Sequence, residues 1–293
     1  MTTHHGKLTR RTVLSRAAGA AAALAVSGVG PLMAASKPRW FKIGACEWNL
    51  GKADPSSFDV AKEIGLDGVQ VNMGSLGNDM HLRKPDVQKA YLEAARRTGL
   101  QIGSLAIGEM NSVPLKSDPR AEKWLDDSID VAKALGITLV MPACFGNGEL
   151  DMGKTAEIDH LVGVLRGACA KAEKAGITIG LESYLSAENT LRILDRVGSP
   201  AMKMYYDVGN STDKGYDILK EIRLMGDRIC EFHAKDDGFL LGQGRIDFHK
   251  VRQAIDDIGY SGWIQIEAAQ PHGLIEDYRA QYKYLRDIFP ERG

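Results

Sequence analysis

Four residues of this 293-residue chain have side chains that suit a divalent cation, and each closes a short apolar run. They are Glu182, Asp207, His233 and Glu267. If the four runs form neighbouring parallel strands about 5 Å apart, their last side chains can converge on one point. Three carboxylates crowded together repel each other unless a cation lies between them. The pattern therefore predicts a metal site with these four residues as ligands.

The ligand types indicate which metal such a site would bind. Oxygen-rich sites favour Mg2+ or Mn2+, and an imidazole shifts the preference towards Mn2+, Co2+ or Zn2+. We therefore expect Mn2+, with Mg2+, Co2+ and Zn2+ as open alternatives. A single acidic residue at a strand end is more often a helix cap, but four suitable ends in succession are hard to obtain by accident.

The elements that would position these residues alternate regularly from about residue 37. Apolar runs predict strands over 41–47, 68–73, 101–107, 137–142, 177–182, 203–208, 229–234 and 263–267. Helical periodicity predicts helices over 56–64, 85–98, 119–135, 154–175, 189–197, 216–225, 247–258 and 276–288. Eight strand–helix units in this length are typical of a single (β/α)8 TIM barrel. The alternative is a doubly wound open sheet, but the glycine-rich phosphate turn typical of that fold does not follow the first run.

Composition and charge exclude several classes of protein. The chain is 44% apolar and 26% charged, which is ordinary globular composition rather than that of a disordered chain. A formal net charge of -1 provides no excess of positive charge for binding nucleic acid. The four cysteines, at 46, 144, 169 and 230, include no Cys-x-x-Cys pair. A disulfide scaffold and a thiolate zinc site are therefore not expected.

The first 36 residues have the layout of an export signal. Lys7, Arg10, Arg11 and Arg16 precede an alanine-rich apolar run over 17–35, and residues 1–35 contain no acidic side chain. The pair Arg10-Arg11 is similar to a twin-arginine signal. The alternatives are an amphipathic N-terminal helix and a retained membrane anchor, although the run falls short of the roughly 20 strongly apolar residues of a spanning helix.

Removal of this signal would leave a barrel domain over 37–293. The four lost positive charges would leave a net charge of -5, which argues further against a nucleic-acid partner. We expect a periplasmic or secreted protein that makes no membrane contact once the signal is removed.

The segments around the four predicted ligands resemble the xylose isomerase-like TIM barrels, within them most nearly the sugar phosphate isomerase/epimerase branch. The segments are Gly-Leu-Glu-Ser at Glu182, Tyr-Asp-Val-Gly-Asn at Asp207, Glu-Phe-His-Ala-Lys-Asp at His233 and Ile-Gln-Ile-Glu at Glu267. The resemblance covers the whole chain from residue 37. It implies a metal-dependent isomerase or epimerase that moves a proton next to a carbonyl. Since sugar phosphates are cytoplasmic metabolites, the expected export favours free sugars, keto-sugars or cyclitol ketones as substrates of such an enzyme. Glu182 and Glu267 would bind the metal and transfer the proton, and the other two would be ligands only.

The sequence departs from relatives of this kind at two places. Ketose 3-epimerases of the family have a histidine three residues after the strand-6 aspartate, where this chain has Asn210. Endonuclease IV has further histidines after strands 2 and 3, where this chain has Asn72 and Glu109. Asp247 and His249 resemble its later ligand pair, but a helix cap and a surface histidine are the favoured interpretation. A nuclease is therefore a remote alternative.

Three further residues are candidate substrate ligands. Glu47 ends the first strand and could bind sugar hydroxyls, with a salt bridge as its alternative; Lys235 and Arg245 could hold an oxyanion or carboxylate. Trp48 could offer an apolar face to a sugar, although buried packing is favoured. A 3-keto-glycoside lyase or hydrolase that uses the same metal and base is the leading alternative function. A non-catalytic sugar-binding protein and a homodimer both remain open.

Overall fold

The computed structural model describes residues 1, 2 and 40–291. Apart from Met1 and Thr2, the predicted signal over 1–36 lies outside the described residues. The described barrel belongs to a compact unit that runs over Pro38–Gly293. Among the described residues, every helix is too short or too polar to cross a membrane.

Within residues 40–291, eight parallel strands close into one barrel in chain order. The strands are β1 (Phe41–Cys46), β2 (Gly68–Asn72), β3 (Gln101–Ile107), β4 (Leu139–Cys144), β5 (Thr178–Ser183), β6 (Met202–Asp207), β7 (Ile229–Ala234) and β8 (Gly262–Ile266). β1 pairs in parallel with both β2 and β8, which closes the sheet. The predicted (β/α)8 barrel is confirmed, and each strand lies within two residues of its predicted bounds.

Nine α-helices of the described residues surround the barrel. They are α1 (Ser57–Ile64), α2 (Pro85–Thr98), α3 (Pro119–Leu135), α4 (Thr155–Ala175), α5 (Ala187–Val197), α6 (Val208–Asp213), α7 (Ile218–Met225), α8 (Phe248–Asp257) and α9 (Leu274–Ile288). The sequence did not predict α6, because five of its six residues are polar or glycine and it has no apolar stripe. Its first turn is instead stabilised by the Asp207 side chain, which accepts the N–H groups of Gly209 and Asn210.

The strands are buried on both faces, as parallel strands covered by helices must be. Their outer faces pack apolar side chains against the helices, and this layer is the main core. The barrel interior also holds polar side chains that are almost fully buried: Gln70, Ser104, Tyr205, Glu231 and Gln265. Space there is tight, since a Cβ added at Gly44 would lie 2.1 Å from Oε1 of Gln265.

Candidate metal centre

The four predicted ligands lie together at the C-terminal ends of β5 to β8. Each offers one ligand atom, and these atoms all lie within 4.8 Å of one another. The Nδ1 atom of His233 is 2.8 Å from Oε1 of Glu182, 3.6 Å from Oε2 of Glu267 and 3.8 Å from Oδ2 of Asp207. Because neighbouring parallel strands end at the same rim, the sequence order of the ligands becomes their order around the site.

The environment of Asp207 fits a bound cation. Its Oδ1 accepts the backbone N–H groups of Gly209 and Asn210 at 2.7 and 2.9 Å, whereas its buried Oδ2 has no hydrogen-bond partner. Burial raises the pKa of Asp207 to about 8, and the charges of Glu267 and Glu182 add to the rise. A buried acceptor without a partner is costly, and a divalent ion among three carboxylates and an imidazole would remove that cost.

Side chains of the barrel interior orient the imidazole of His233. Its Nε2 lies 2.8 Å from Oε1 of Gln70 and 3.4 Å from the sulfur of Cys46. Since an amide oxygen can only accept, Nε2 carries the proton and donates it to Gln70. In the neutral imidazole that binds a metal, the lone pair is then on Nδ1, which faces the three carboxylates. This is the arrangement that a histidine metal ligand needs.

Glu267 is the most accessible of the four, with 18% of its side chain exposed. The indole N–H of Trp48 donates to its Oε1 at 2.8 Å, and Nζ of Lys235 lies 3.5 Å from its Oε2. Burial alone would raise the pKa of Glu267, but the positive charges at His233 and Lys235 and the Trp48 hydrogen bond outweigh it and lower the pKa. Glu267 is therefore held as a carboxylate that can accept a proton.

The candidate site opens into a cleft of about 520 Å³ at the barrel mouth. Glu182 and Glu267 both line it. Its other polar lining residues are Asn72, Ser75, Glu109, Asn111, Ser112, Asn210 and Lys235, and its large apolar ones are Trp48, Met141, Phe145 and Tyr184. A small pocket with many hydrogen-bonding groups and a few aromatic faces suits a polyhydroxylated ligand.

The structure brings only one of the three candidate substrate ligands to this cleft. Lys235 lines it and donates to Oδ1 of Asn210 at 3.2 Å. Arg245 is half exposed, pairs with Asp213 and does not line the cleft.

Glu47 is 1% exposed and also does not line the cleft. Its carboxylate accepts hydrogen bonds from the Tyr91 hydroxyl at 2.6 Å, the Asn72 backbone N–H at 3.1 Å and the Ser57 hydroxyl at 3.2 Å. The predicted role of Glu47 in sugar binding gains no support from this placement, because protein donors already occupy the carboxylate.

Sequence reasoning missed three contributions to the site. It did not predict the Trp48 hydrogen bond to Glu267, the support of His233 by Gln70, or the position of Asn210 beside Lys235. The signal that could have found Gln70 is a polar residue in the middle of the apolar strand β2. The expectation for the nuclease-like pair is confirmed: Asp247 caps α8, and His249 is exposed.

Comparisons with known proteins agree with this geometry. Residues 58–288 match the family described as xylose isomerase-like TIM barrel. The 2-epi-5-epi-valiolone 7-phosphate 2-epimerase of Actinoplanes sp. is 26% identical over 200 residues, which cover 67% of this chain and 72% of that protein. A putative L-ribulose-5-phosphate 3-epimerase of Escherichia coli is 25% identical over 253 residues, which cover 77% and 88% of the two chains.

Solved structures show the same fold. The D-psicose 3-epimerase with D-tagatose from Clostridium cellulolyticum aligns with a TM-score of 0.72 at 17% identity. The alignment covers 85% of this chain and 99% of that one. At this identity the likeness establishes the barrel architecture, and the chemistry must be argued from the site itself.

Proposed function

Because the chain belongs to the xylose isomerase-like TIM barrel family, we propose that it is a divalent-metal-dependent sugar isomerase or epimerase. It would remove a proton from the carbon next to a carbonyl in a free sugar, keto-sugar or cyclitol ketone. The observation that carries the proposal is the convergence of three carboxylates and one imidazole within 4.8 Å, on a cleft of sugar size. The epimerase names of the two curated relatives support the same reaction class.

The four ligands and the cleft assign distinct roles to the residues of this chain. A divalent ion held by Glu182, Asp207, His233 and Glu267, with Mn2+ as the first expectation, would stabilise the negative charge that develops as the proton leaves. Glu267, kept ionised by Lys235 and Trp48, would accept the proton from one side of the substrate. Glu182 lies across β6 and β7 from Glu267 and would return a proton from the other side.

The charge of the cleft favours a substrate without a phosphate group. Among the described residues that line it, Lys235 is the sole lysine or arginine, and its Nζ already lies 3.5 Å from Glu267. Phosphate groups are usually bound by arginine forks, several lysines or a helix N-terminus. We therefore propose an uncharged keto-sugar, in contrast to the phosphorylated compounds named for the two curated relatives.

The proposed export leads to the same substrate class. We propose that the twin-arginine segment carries the protein to the periplasm, where free sugars are met. Changing Arg10 and Arg11 together to lysine should leave the protein in the cytoplasm, as measured by fractionation and immunoblotting. Unchanged appearance in the periplasm would reject this route.

A second candidate function is cleavage of a 3-keto-glycoside by elimination. A depression of about 630 Å³ adjoins the cleft and shares Tyr184 with it, with Asn189, Lys214 and Tyr216 among its lining residues. It offers room for a leaving group that a monosaccharide would not fill. In this reaction the carboxylate takes the proton next to the ketone, and the bond to the glycosidic oxygen then breaks as that oxygen gains a proton.

The test is solvent deuterium exchange followed by NMR. Mn2+-loaded protein would be incubated in D2O with free ketoses, inososes, 3-keto-glucosides and ketose phosphates, and protein and Mn2+ would be removed before the spectra are recorded. We expect deuterium next to the carbonyl of an unphosphorylated substrate, together with an epimer or isomer as the product. A released aglycone would select the elimination instead, and absence of exchange with every substrate would reject both functions.

A further inference from the structure

A series of hydrogen-bonded, buried side chains, the directional chain, connects the candidate metal centre to the interior of the barrel. Its lower end is Glu231 on β7, which is 2% exposed. Oε1 of Glu231 accepts three hydrogen bonds, from the Ser104 hydroxyl at 2.7 Å, the Gln265 amide at 2.9 Å and the Tyr205 hydroxyl at 3.0 Å. The reaction proposed above uses none of these residues.

Further hydrogen bonds lead from Tyr205 through Gln70 to the imidazole of His233. Nε2 of Gln70 donates to the Tyr205 oxygen at 3.1 Å. Oε1 of the same amide accepts from Nε2 of His233 at 2.8 Å and from the Cys46 thiol at 3.2 Å. Tyr205 and Gln70 are fully buried, so water cannot replace a partner that turns away.

The donor and the acceptor of each hydrogen bond between these side chains follow from the bonds at Glu231. The amide N–H of Gln265 can only donate, so Oε1 of Glu231 is an acceptor. Tyr205 has one hydroxyl proton, and it gives that proton to Glu231. The Tyr205 oxygen is then left to accept, and only the NH2 end of Gln70 can donate to it.

The orientation of the Gln70 amide in turn decides which imidazole nitrogen is free. With its NH2 group towards Tyr205, its oxygen faces His233 and receives the Nε2 proton. Were the amide reversed, its NH2 group would face Nε2 of His233, and the imidazole proton would move to Nδ1. Nδ1 lies 2.8 Å from Glu182 and is the nitrogen that faces the other ligands, so a neutral imidazole with its proton there would have no lone pair to offer the cation.

We propose that Glu231 is a positioning residue of the metal centre. Acting through Tyr205 and Gln70, it fixes the Nε2–H form of His233 and so presents Nδ1 to the cation. This inference rests on the proposed metal site and deepens it. Loss of a group that orients a metal-bound histidine typically weakens metal affinity by 10- to 100-fold.

Ser104 provides a matched control. Its hydroxyl also donates to Oε1 of Glu231, but the hydrogen bonds that lead from Glu231 through Tyr205 and Gln70 to His233 do not involve it. Ser104→Ala therefore disturbs the same carboxylate and leaves the directional chain intact. A purely structural role of the interior network would make Ser104→Ala and Tyr205→Phe similar in effect, whereas the directional chain separates them.

Gln70→Glu provides a rescue. A carboxylate presents an oxygen to His233 whichever way it turns, so it does not need Tyr205 to orient it. In a Tyr205→Phe background, Gln70→Glu should restore metal affinity, whereas Gln70→Ala should not. A packing defect left by the missing hydroxyl would not be repaired by this change.

The experiment is isothermal titration of metal-free protein with Mn2+, supported by thermal melts to show that each variant folds. We expect Glu231→Gln and Tyr205→Phe to bind Mn2+ roughly 10- to 100-fold more weakly than the wild type. Ser104→Ala should stay within about threefold, and Gln70→Glu should recover most of the loss in Tyr205→Phe. Wild-type affinity in both Glu231→Gln and Tyr205→Phe, or no recovery in a folded double variant, would overturn the proposal.

A measurement on the wild type needs no variant. With diamagnetic Zn2+ bound, 15N NMR of the His233 ring should show the proton on Nε2 and the metal on Nδ1. Metal on Nε2 would overturn the directional chain while leaving the metal site in place. A wild-type protein that binds neither ion would instead reject the proposed metal site itself, and the inference with it.

Discussion

Two carboxylates at the same rim of the barrel have opposite environments. Glu47 follows β1 and Glu267 follows β8, and these two strands pair directly. Glu47 accepts three hydrogen bonds from Tyr91, Asn72 and Ser57. Glu267 accepts one hydrogen bond, from the Trp48 indole, and its Oε2 faces Lys235 and His233. Burial alone therefore does not mark a functional acid: what matters is whether neutral donors of the protein already bind both carboxylate oxygens.

Removal of the proton-transfer carboxylates should have the largest effect. Glu182→Gln and Glu267→Gln each keep the side-chain shape but cannot accept a proton, so kcat for the exchange reaction should fall by roughly 100- to 10,000-fold. Glu47→Gln makes the same change at the carboxylate outside the candidate site. It is the matched control and should keep kcat near the wild-type value. A loss in Glu47→Gln as large as in Glu267→Gln would break the distinction between the two carboxylates.

Removal of the metal should come next. Exchange should cease in a chelator and return with Mn2+. The metal-free protein should also unfold more easily, because an ion at 100 times its Kd stabilises the folded state by about 2.7 kcal/mol. Calorimetry with and without Mn2+ measures this difference. An unfolding temperature and a reaction rate that are both insensitive to the chelator would contradict a metal-dependent site.

Loss of the indole donor should have an intermediate effect. Trp48→Phe keeps an aromatic face on the cleft but removes the 2.8 Å hydrogen bond to Glu267. Hydrogen bonds to charged groups contribute about 1.5–3 kcal/mol, so kcat should fall roughly 10- to 100-fold, with metal affinity less affected. Trp124→Phe, in α3 and away from the cleft, is the control. Equal kinetics in the two variants would show that the Trp48 bond has no part in the reaction.

At Glu47 we expect no effect on catalysis, and the prediction concerns stability alone. Burial raises the pKa of Glu47 from 4.5 to about 7. Between these values the folded state binds more protons than the unfolded state, so Glu47 lowers stability as pH rises through this range. The shift corresponds to about 3 kcal/mol. Denaturant unfolding of metal-free protein at pH 5 and pH 8 should show this loss reduced in Glu47→Gln. An identical pH dependence in both proteins would contradict the assignment.

Local sequence patterns were sufficient for the barrel and for bringing the four candidate ligands together. The bounds of α2 follow from Pro85 at its first position and Gly99 after its last, and each ligand stands at the end of an apolar run. β4 lies two residues later than predicted, because its bounds depend on pairing of Ala143 and Cys144 with β5. The apolar run that predicts β4 does not show with which residues of β5 it will pair.

Local patterns also could not predict the hydrogen bonds that Glu47 accepts or the hydrogen bond between His233 and Gln70, for a related reason. The donor Tyr91 lies 44 residues from Glu47, and Gln70 lies 163 residues from His233. Residue type and strand phase placed both acids at the barrel rim but could not show which of them the folded chain would surround with donors. That distinction depends on tertiary contacts.

The number of metal ions bound per chain tests the proposed metal centre most directly. Wild-type protein, Asp207→Asn and Glu47→Gln would each be equilibrated with Mn2+, separated from free ion and analysed for metal content. We expect one ion per chain in the wild type and in Glu47→Gln, and little or none in Asp207→Asn. No bound metal in the wild type, or full occupancy in Asp207→Asn, would contradict the assignment of the metal centre to the ends of β5–β8.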